Sequence, residues 1–148
     1  MSNSLLKKLP KEILRQNEII KSDELRLHDN KIICLYFSAS WCAPCKKFTP
    51  LLIDFYNEIN SDNNHLLEIV FVSADVDEKS FQEYYSTMPW LAVPFKTEEI
   101  EELKDSYEIY GIPMLIVFNG EGNLIDKQGR ELVEQQGLAA FDTWLMKA

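Results

Sequence analysis

Ile32-Ile33-Cys34-Leu35-Tyr36-Phe37 is an unbroken run of apolar, β-favouring residues. A strand of that kind needs cover on both faces, so it belongs inside a sheet flanked by helices. Shortly after it comes Trp41-Cys42-Ala43-Pro44-Cys45. From Ala43 to Ile59 the apolar positions Phe48, Leu51, Leu52, Phe55, Tyr56 and Ile59 recur at the spacing of a helix with one buried face. The cysteine pair therefore opens a helix that follows a buried strand. Residues three apart share a helix face, so both sulfurs can meet within the first turn. Cys42 falls at the helix start, where unpaired N–H groups and the helix dipole favour a thiolate, the form that attacks disulfides. Pro44 is tolerated there because a first-turn N–H has no helical partner. Pro50, deeper in, is expected to kink the helix. Cys34, within the strand, reads as a small buried hydrophobe.

Leu66 to Val72 reads as a second buried strand, and Asp77 as the cap of a helix that begins near Glu78 and stops before Pro89. The segment "MPWLAVPF" (88–95) carries two prolines and reads as an ordered, extended loop rather than a central strand, with Trp90 as a packing anchor. Thr97 is expected to cap a short helix whose acidic first turn, Glu98 to Glu102, suits the dipole. Met114 to Phe118 and Leu124 to Lys127, joined by Asn119-Gly120-Glu121-Gly122-Asn123, form a hairpin by pattern. The remainder is helical and broken near Gly137. Residues 1–30 read as an N-terminal extension packed on a domain of residues 31–148. Ile13, Leu14, Ile19 and Ile20 are able to form an edge strand or a helical turn, and Leu25 and Leu27 to act as anchors. His28 and His65 read as surface and loop residues.

The length of 148 residues fits one domain with its own core. A net charge of −9 argues against a nucleic-acid partner and against anionic membranes. No apolar run approaches the roughly 18 residues of a membrane span, and the first 20 residues lack the apolar core of a secretion signal. Three cysteines make a poor secreted scaffold, so a reducing compartment is expected, the cytoplasm first and the nucleus compatible. Zinc takes about four ligands. Beyond the pair only Cys34 and two scattered histidines remain, so no metal is expected.

The element order, with Cys-x-x-Cys opening the first long helix and Ile112-Pro113 opening the later hairpin, resembles the thioredoxin fold: an α/β chain with a mixed central sheet and helices on both faces. "YFSASWCAPCKKFTP" resembles the active-site segment of tryparedoxins and nucleoredoxins, usually YFSASWCPPCR-x-FTP. "FQEYYSTMPWLAVPF", "YGIPMLIVF" with "NGEGNLI", and "GRELV" resemble further segments of that family, in the same order, over roughly residues 31–135. There are departures. Ala43-Pro44 stands where Pro-Pro is usual, Lys46 where Arg is frequent, and Met114 where thioredoxins carry Thr. Tyr36 occupies the place of a buried Asp in bacterial-type thioredoxins, which leaves the proton acceptor for Cys45 unassigned.

The resemblance implies a thiol–disulfide oxidoreductase that reduces protein disulfides, with Cys42 as nucleophile and Cys45 as the resolving thiol. Trp41, Ile112 and a cis Pro113 would bind the target. It further implies no cofactor beyond the dithiol. An external thiol or flavoprotein would donate electrons, the partners would be disulfide-bearing proteins such as a peroxidase, and the chain would be a monomer. Two alternatives stay open: a redox-regulated protein-binding module of nucleoredoxin type, and a disulfide oxidase or isomerase. Lys46 and Lys47 could add positive potential near Cys42. Asp75, Asp77 and Glu78 could lie near the active end of the sheet, with capping as their simpler role.

Overall fold

The computed structural model describes residues 4–25, 27–62 and 64–148, and the side chain of His28 lies outside what it describes. In chain order the elements are α1 (Ser4–Lys8), β1 (Glu12–Arg15), β2 (Glu18–Lys21), β3 (Ile32–Ser38), α2 (Ala43–Ile59), β4 (Leu67–Ser73), α3 (Glu78–Tyr85), β5 (Leu91–Ala92), α4 (Glu98–Ser106), β6 (Met114–Asn119), β7 (Leu124–Asp126), α5 (Gly129–Gln136) and α6 (Ala139–Lys147). Two 3-10 turns, Ser22–Glu24 and Leu27–Asp29, lead from the first hairpin to β3.

The strands form one mixed sheet in the order β2-β1-β5-β4-β3-β6-β7. β3 lies near the middle, parallel to β4 and antiparallel to β6, and every one of its residues is buried. Its alternation divides the core. Ile32, Cys34 and Tyr36 face α2, α3, α5 and α6, while Ile33, Leu35 and Phe37 face α1 and α4. The run of apolar residues is continuous because helices cover the strand on both sides.

Aromatic rings dominate the first of these layers. Trp90 is 1% exposed and packs edge-on against Tyr36 and Tyr56, with centroids 6.1 and 5.4 Å away. Phe71 stacks on Phe81 at 5.8 Å, and Phe55 meets Trp144 at 5.6 Å. Such pairs add about 0.5–1.5 kcal/mol each beyond the burial of their surface.

Several local expectations need revision. The segment around Trp90 is not a loop throughout: Leu91 and Ala92 form β5, which pairs with β4 on one side and β1 on the other. The ladder there is so short that Pro89 and Pro94 fall outside it, so neither proline removes a bond from it. Residues 12–21 form a hairpin of two strands rather than one strand or a helical turn, and β1 lies inside the sheet with β2 at its edge. Thr97 stands at the N-cap of α4, yet its side chain makes no capping bond. α2 runs from Ala43 to Ile59 with Pro50 inside it. Gly137, at a φ of 58°, separates α5 from α6 in a conformation that disfavours side chains.

Two positions carry stability tests. A Cβ on Gly129 would sit 2.8 Å from the Leu115 carbonyl oxygen and 2.9 Å from Val117 Cγ2, so β6 would have to move. Gly129→Ala should cost about 1–3 kcal/mol, as overpacking does. Thermal denaturation should show a fall of roughly 3–10 °C.

Glu68 on β4 is 4% exposed, and its Oε1 accepts from the Ile69 N–H at 3.0 Å and the Tyr56 hydroxyl at 3.3 Å. Burial pushes its carboxyl above the ordinary value, with the Ile69 bond and Arg15 opposing only in part. Between the unfolded and the raised folded values the native chain holds the extra proton, so stability falls as pH rises. Glu68→Gln should therefore melt above wild type at pH 7, with the gap closing below about pH 4, where the unfolded carboxyl is also protonated.

Candidate active site

β3 ends at Ser38 and the chain turns into Cys42, which caps α2 with extended backbone angles, φ −96° and ψ 111°. Cys42 Sγ accepts the N–H of Cys45 at 3.3 Å, the place an oxygen takes in ordinary N-caps. Cys42 and Cys45 are joined by a disulfide with their Cα atoms 5.2 Å apart. Cys45 is fully buried and Cys42 is 6% exposed, so Cys42 is the more accessible residue of the two. Ala39, Ala74 and Ile112 pack around the pair.

Two neighbouring loops complete the site. After β4, Asp75 Oδ1 accepts from the Ser40 N–H at 2.8 Å and from the Ser40 hydroxyl, and Oδ2 accepts from the Ser73 hydroxyl at 2.7 Å. A half-buried loop on a charge-assisted brace of this kind is held more firmly than one on neutral bonds. Trp41 adds a second tie, its indole N–H donating to the Ala74 carbonyl at 2.9 Å while the side chain remains 61% exposed. On the other flank, the β3–β6 ladder ends at the Phe37–Met114 pair, just after the cis Ile112–Pro113 bond. The Ile112 carbonyl oxygen lies 4.0 Å from Cys42 Sγ. The structure thus brings Trp41, Cys42, Cys45, Ile112 and Pro113 to one end of the sheet.

Beneath the disulfide lies a cluster of hydroxyls. Thr49 Oγ1 donates to the Cys45 carbonyl at 2.9 Å and lies 2.6 Å from the Tyr36 hydroxyl and 2.7 Å from the Tyr84 hydroxyl. The Ser38 hydroxyl is 2.8 Å from that of Tyr84. Sequence reasoning passed over Thr49, Ser38 and Tyr84 as site residues. The available signal was Thr49 itself, a polar residue four places after Cys45 on the buried face of an apolar helix.

The other candidates lie elsewhere or do something simpler. Lys46, Lys47 and Glu78 are exposed, as is His65 in the loop before β4. Asp77 caps α3, accepting the Ser80 N–H at 2.7 Å, and that bond lowers its pKa. Cys34 is fully buried, and desolvation, aided by the charge of Asp126, pushes its thiol well up. Among the described residues no group of three or more His, Cys, Asp or Glu is placed to hold a metal ion, and no helix is long and apolar enough to cross a membrane.

A Thioredoxin-like family model matches residues 30–124. A probable nucleoredoxin 1 from Arabidopsis thaliana is 43% identical over 111 residues, covering 75% of this chain and 19% of that protein. The chain spans about a fifth to under a third of the length of these curated nucleoredoxins. Tryparedoxin II from C. fasciculata superposes with a TM-score of 0.83 at 35% identity, covering 95% of this chain and 97% of that one. A tryparedoxin II complexed with glutathionylspermidine superposes at 0.79 with 32% identity, covering 92% and 93%. With its strand-to-helix Cys-x-x-Cys disulfide and these relatives, the chain belongs to the thioredoxin-like family of oxidoreductases, in its tryparedoxin and nucleoredoxin branch.

Proposed function

We propose that this chain reduces disulfides in other proteins. The observation that carries the reading is the Cys42–Cys45 disulfide at the start of α2, with one sulfur capping the helix and the other sealed beneath it. In the reduced chain the Cys42 thiolate attacks a target disulfide, forming a mixed disulfide and releasing one target thiolate. Cys45 then attacks Cys42, the Cys42–target bond breaks, and the second target thiol leaves with the proton Cys45 gave up. The product is the disulfide state of the structure.

Ile112 lies beyond the end of the β3–β6 ladder, next to Cys42, so its backbone is the natural strand for an extended target segment to pair with. Trp41 offers an exposed ring on the opposite side. An external thiol or flavoprotein resets the pair. A low-molecular-weight thiol of the glutathione kind is a good candidate, because a tryparedoxin II of similar structure holds glutathionylspermidine. The fitting locale is a compartment that supplies such a reductant, the cytoplasm foremost.

Insulin reduction driven by dithiothreitol tests the reading. Wild type should accelerate precipitation, Cys42→Ser should abolish the acceleration, and Cys45→Ser should trap targets as stable mixed disulfides. Binding of partners that survives in Cys42→Ser, with no turnover in wild type, would instead mark a redox-regulated binding module. Alkylation offers a separate check. With limiting iodoacetamide at neutral pH, the reduced protein should be modified at Cys42, with Cys34 untouched until the chain is unfolded; mass mapping that finds Cys34 first would contradict the assignment.

A further inference from the structure

We propose that Thr49 is a positioning residue for Cys45, its hydroxyl fixing the helical turn that carries the resolving sulfur. The inference rests on the dithiol reading above.

Proton counting gives the direction of the bonds that meet at Thr49. A carbonyl only accepts, so the single proton of Thr49 is committed to the Cys45 carbonyl. Tyr36 and Tyr84 must then both donate to Thr49 Oγ1. The Tyr84 proton being committed, Ser38 donates to Tyr84. Burial pushes the Tyr36 phenol far above its usual range, which keeps it a donor. Ser38 and Tyr36 on β3 and Tyr84 on α3 thus converge through Thr49 on one backbone oxygen, that of the resolving cysteine.

That oxygen lies next to a gap in the α2 backbone ladder. Pro50 has no N–H to give the Lys46 carbonyl, so the turn bearing the dithiol loses one of the backbone bonds that would tie it to the rest of the helix. The hydroxyl bond from Thr49 lies one residue away from the missing one. It anchors the turn to the sheet and to α3 instead. Low-dielectric surroundings strengthen such a bond, and each donor feeding Thr49 polarises it further.

The step affected is the second one. Cys45 must reach the Cys42 sulfur of a mixed disulfide, whereas the first attack needs only the exposed edge of Cys42. Single-turnover reaction of the reduced protein with 5,5′-dithiobis(2-nitrobenzoate) separates the two. Cys42 releases one thionitrobenzoate as the mixed disulfide forms. Cys45 releases the second as the Cys42–Cys45 bond closes and the Cys42–thionitrobenzoate bond breaks.

Thr49→Val should slow the second release about tenfold or more, the kind of loss that follows a small misplacement of reacting atoms. The first release should stay within about twofold, and Thr49→Ser should restore the second. A second release unchanged in Thr49→Val, or both releases slowed alike, overturns the proposal. Should Thr49→Val fail to fold, Tyr84→Phe decides: it keeps the Thr49–Cys45 bond and removes one donor. Selective slowing of the second release by about threefold supports the proposal, and equal rates in both steps overturn it. Wild type that never releases the second equivalent would sink the dithiol reading itself, which is a different failure.

Discussion

A helix N-terminus exposes N–H groups that no backbone carbonyl can reach, and most proteins satisfy them with an oxygen. Here a sulfur does that work. Cys42 Sγ takes the Cys45 N–H, and every other part of the site is arranged around keeping it there. β3 delivers the chain to the top of the sheet, the Asp75 brace holds the turn that follows, and the cis Ile112–Pro113 segment closes the far side. The cap fixes where that sulfur sits, and the helical spacing brings the second one to it.

Burial then adds to a difference between the two cysteines that the helix-start position of Cys42 already implied. Both cysteines belong to one motif, yet Cys42 keeps 6% of its surface exposed while Cys45 keeps none. The covering of β3 on two faces shapes what lies beneath the pair. Because Tyr36 points to the same side as α2, its hydroxyl reaches Thr49 rather than water. A strand with one solvated face would have left that phenol outside and the first turn of α2 without its support.

What the chain announces in one dimension follows the same division. The central strand, the helix opened by Cys-x-x-Cys, the cap at Asp77 and the break at Gly137 are local matters, set by periodicity, capping and backbone freedom, and they are readable. Leu91-Ala92 was hidden because its prolines sit just beyond its two paired residues. Thr97 looked like a cap, but position alone does not direct a hydroxyl. Asp75 looked like one more acid in an acidic stretch, and its partner Ser40 lies 35 residues away. Ser38, Thr49 and Tyr84 meet only when a strand and two helices are docked, so no spacing rule could join them.

The N-terminal hairpin has a quieter effect. β5 alone would offer a short apolar rim, Leu91-Ala92, to any passing strand. β1 occupies that rim, and the boundary moves outward to β2, four residues long with Glu18 and Lys21 at its ends. The opposite boundary, β7, has three residues and finishes on Asp126. Brief, charge-tipped margins are poor templates for a neighbouring copy. Neither margin of the sheet offers a long, uncharged run for another strand to extend.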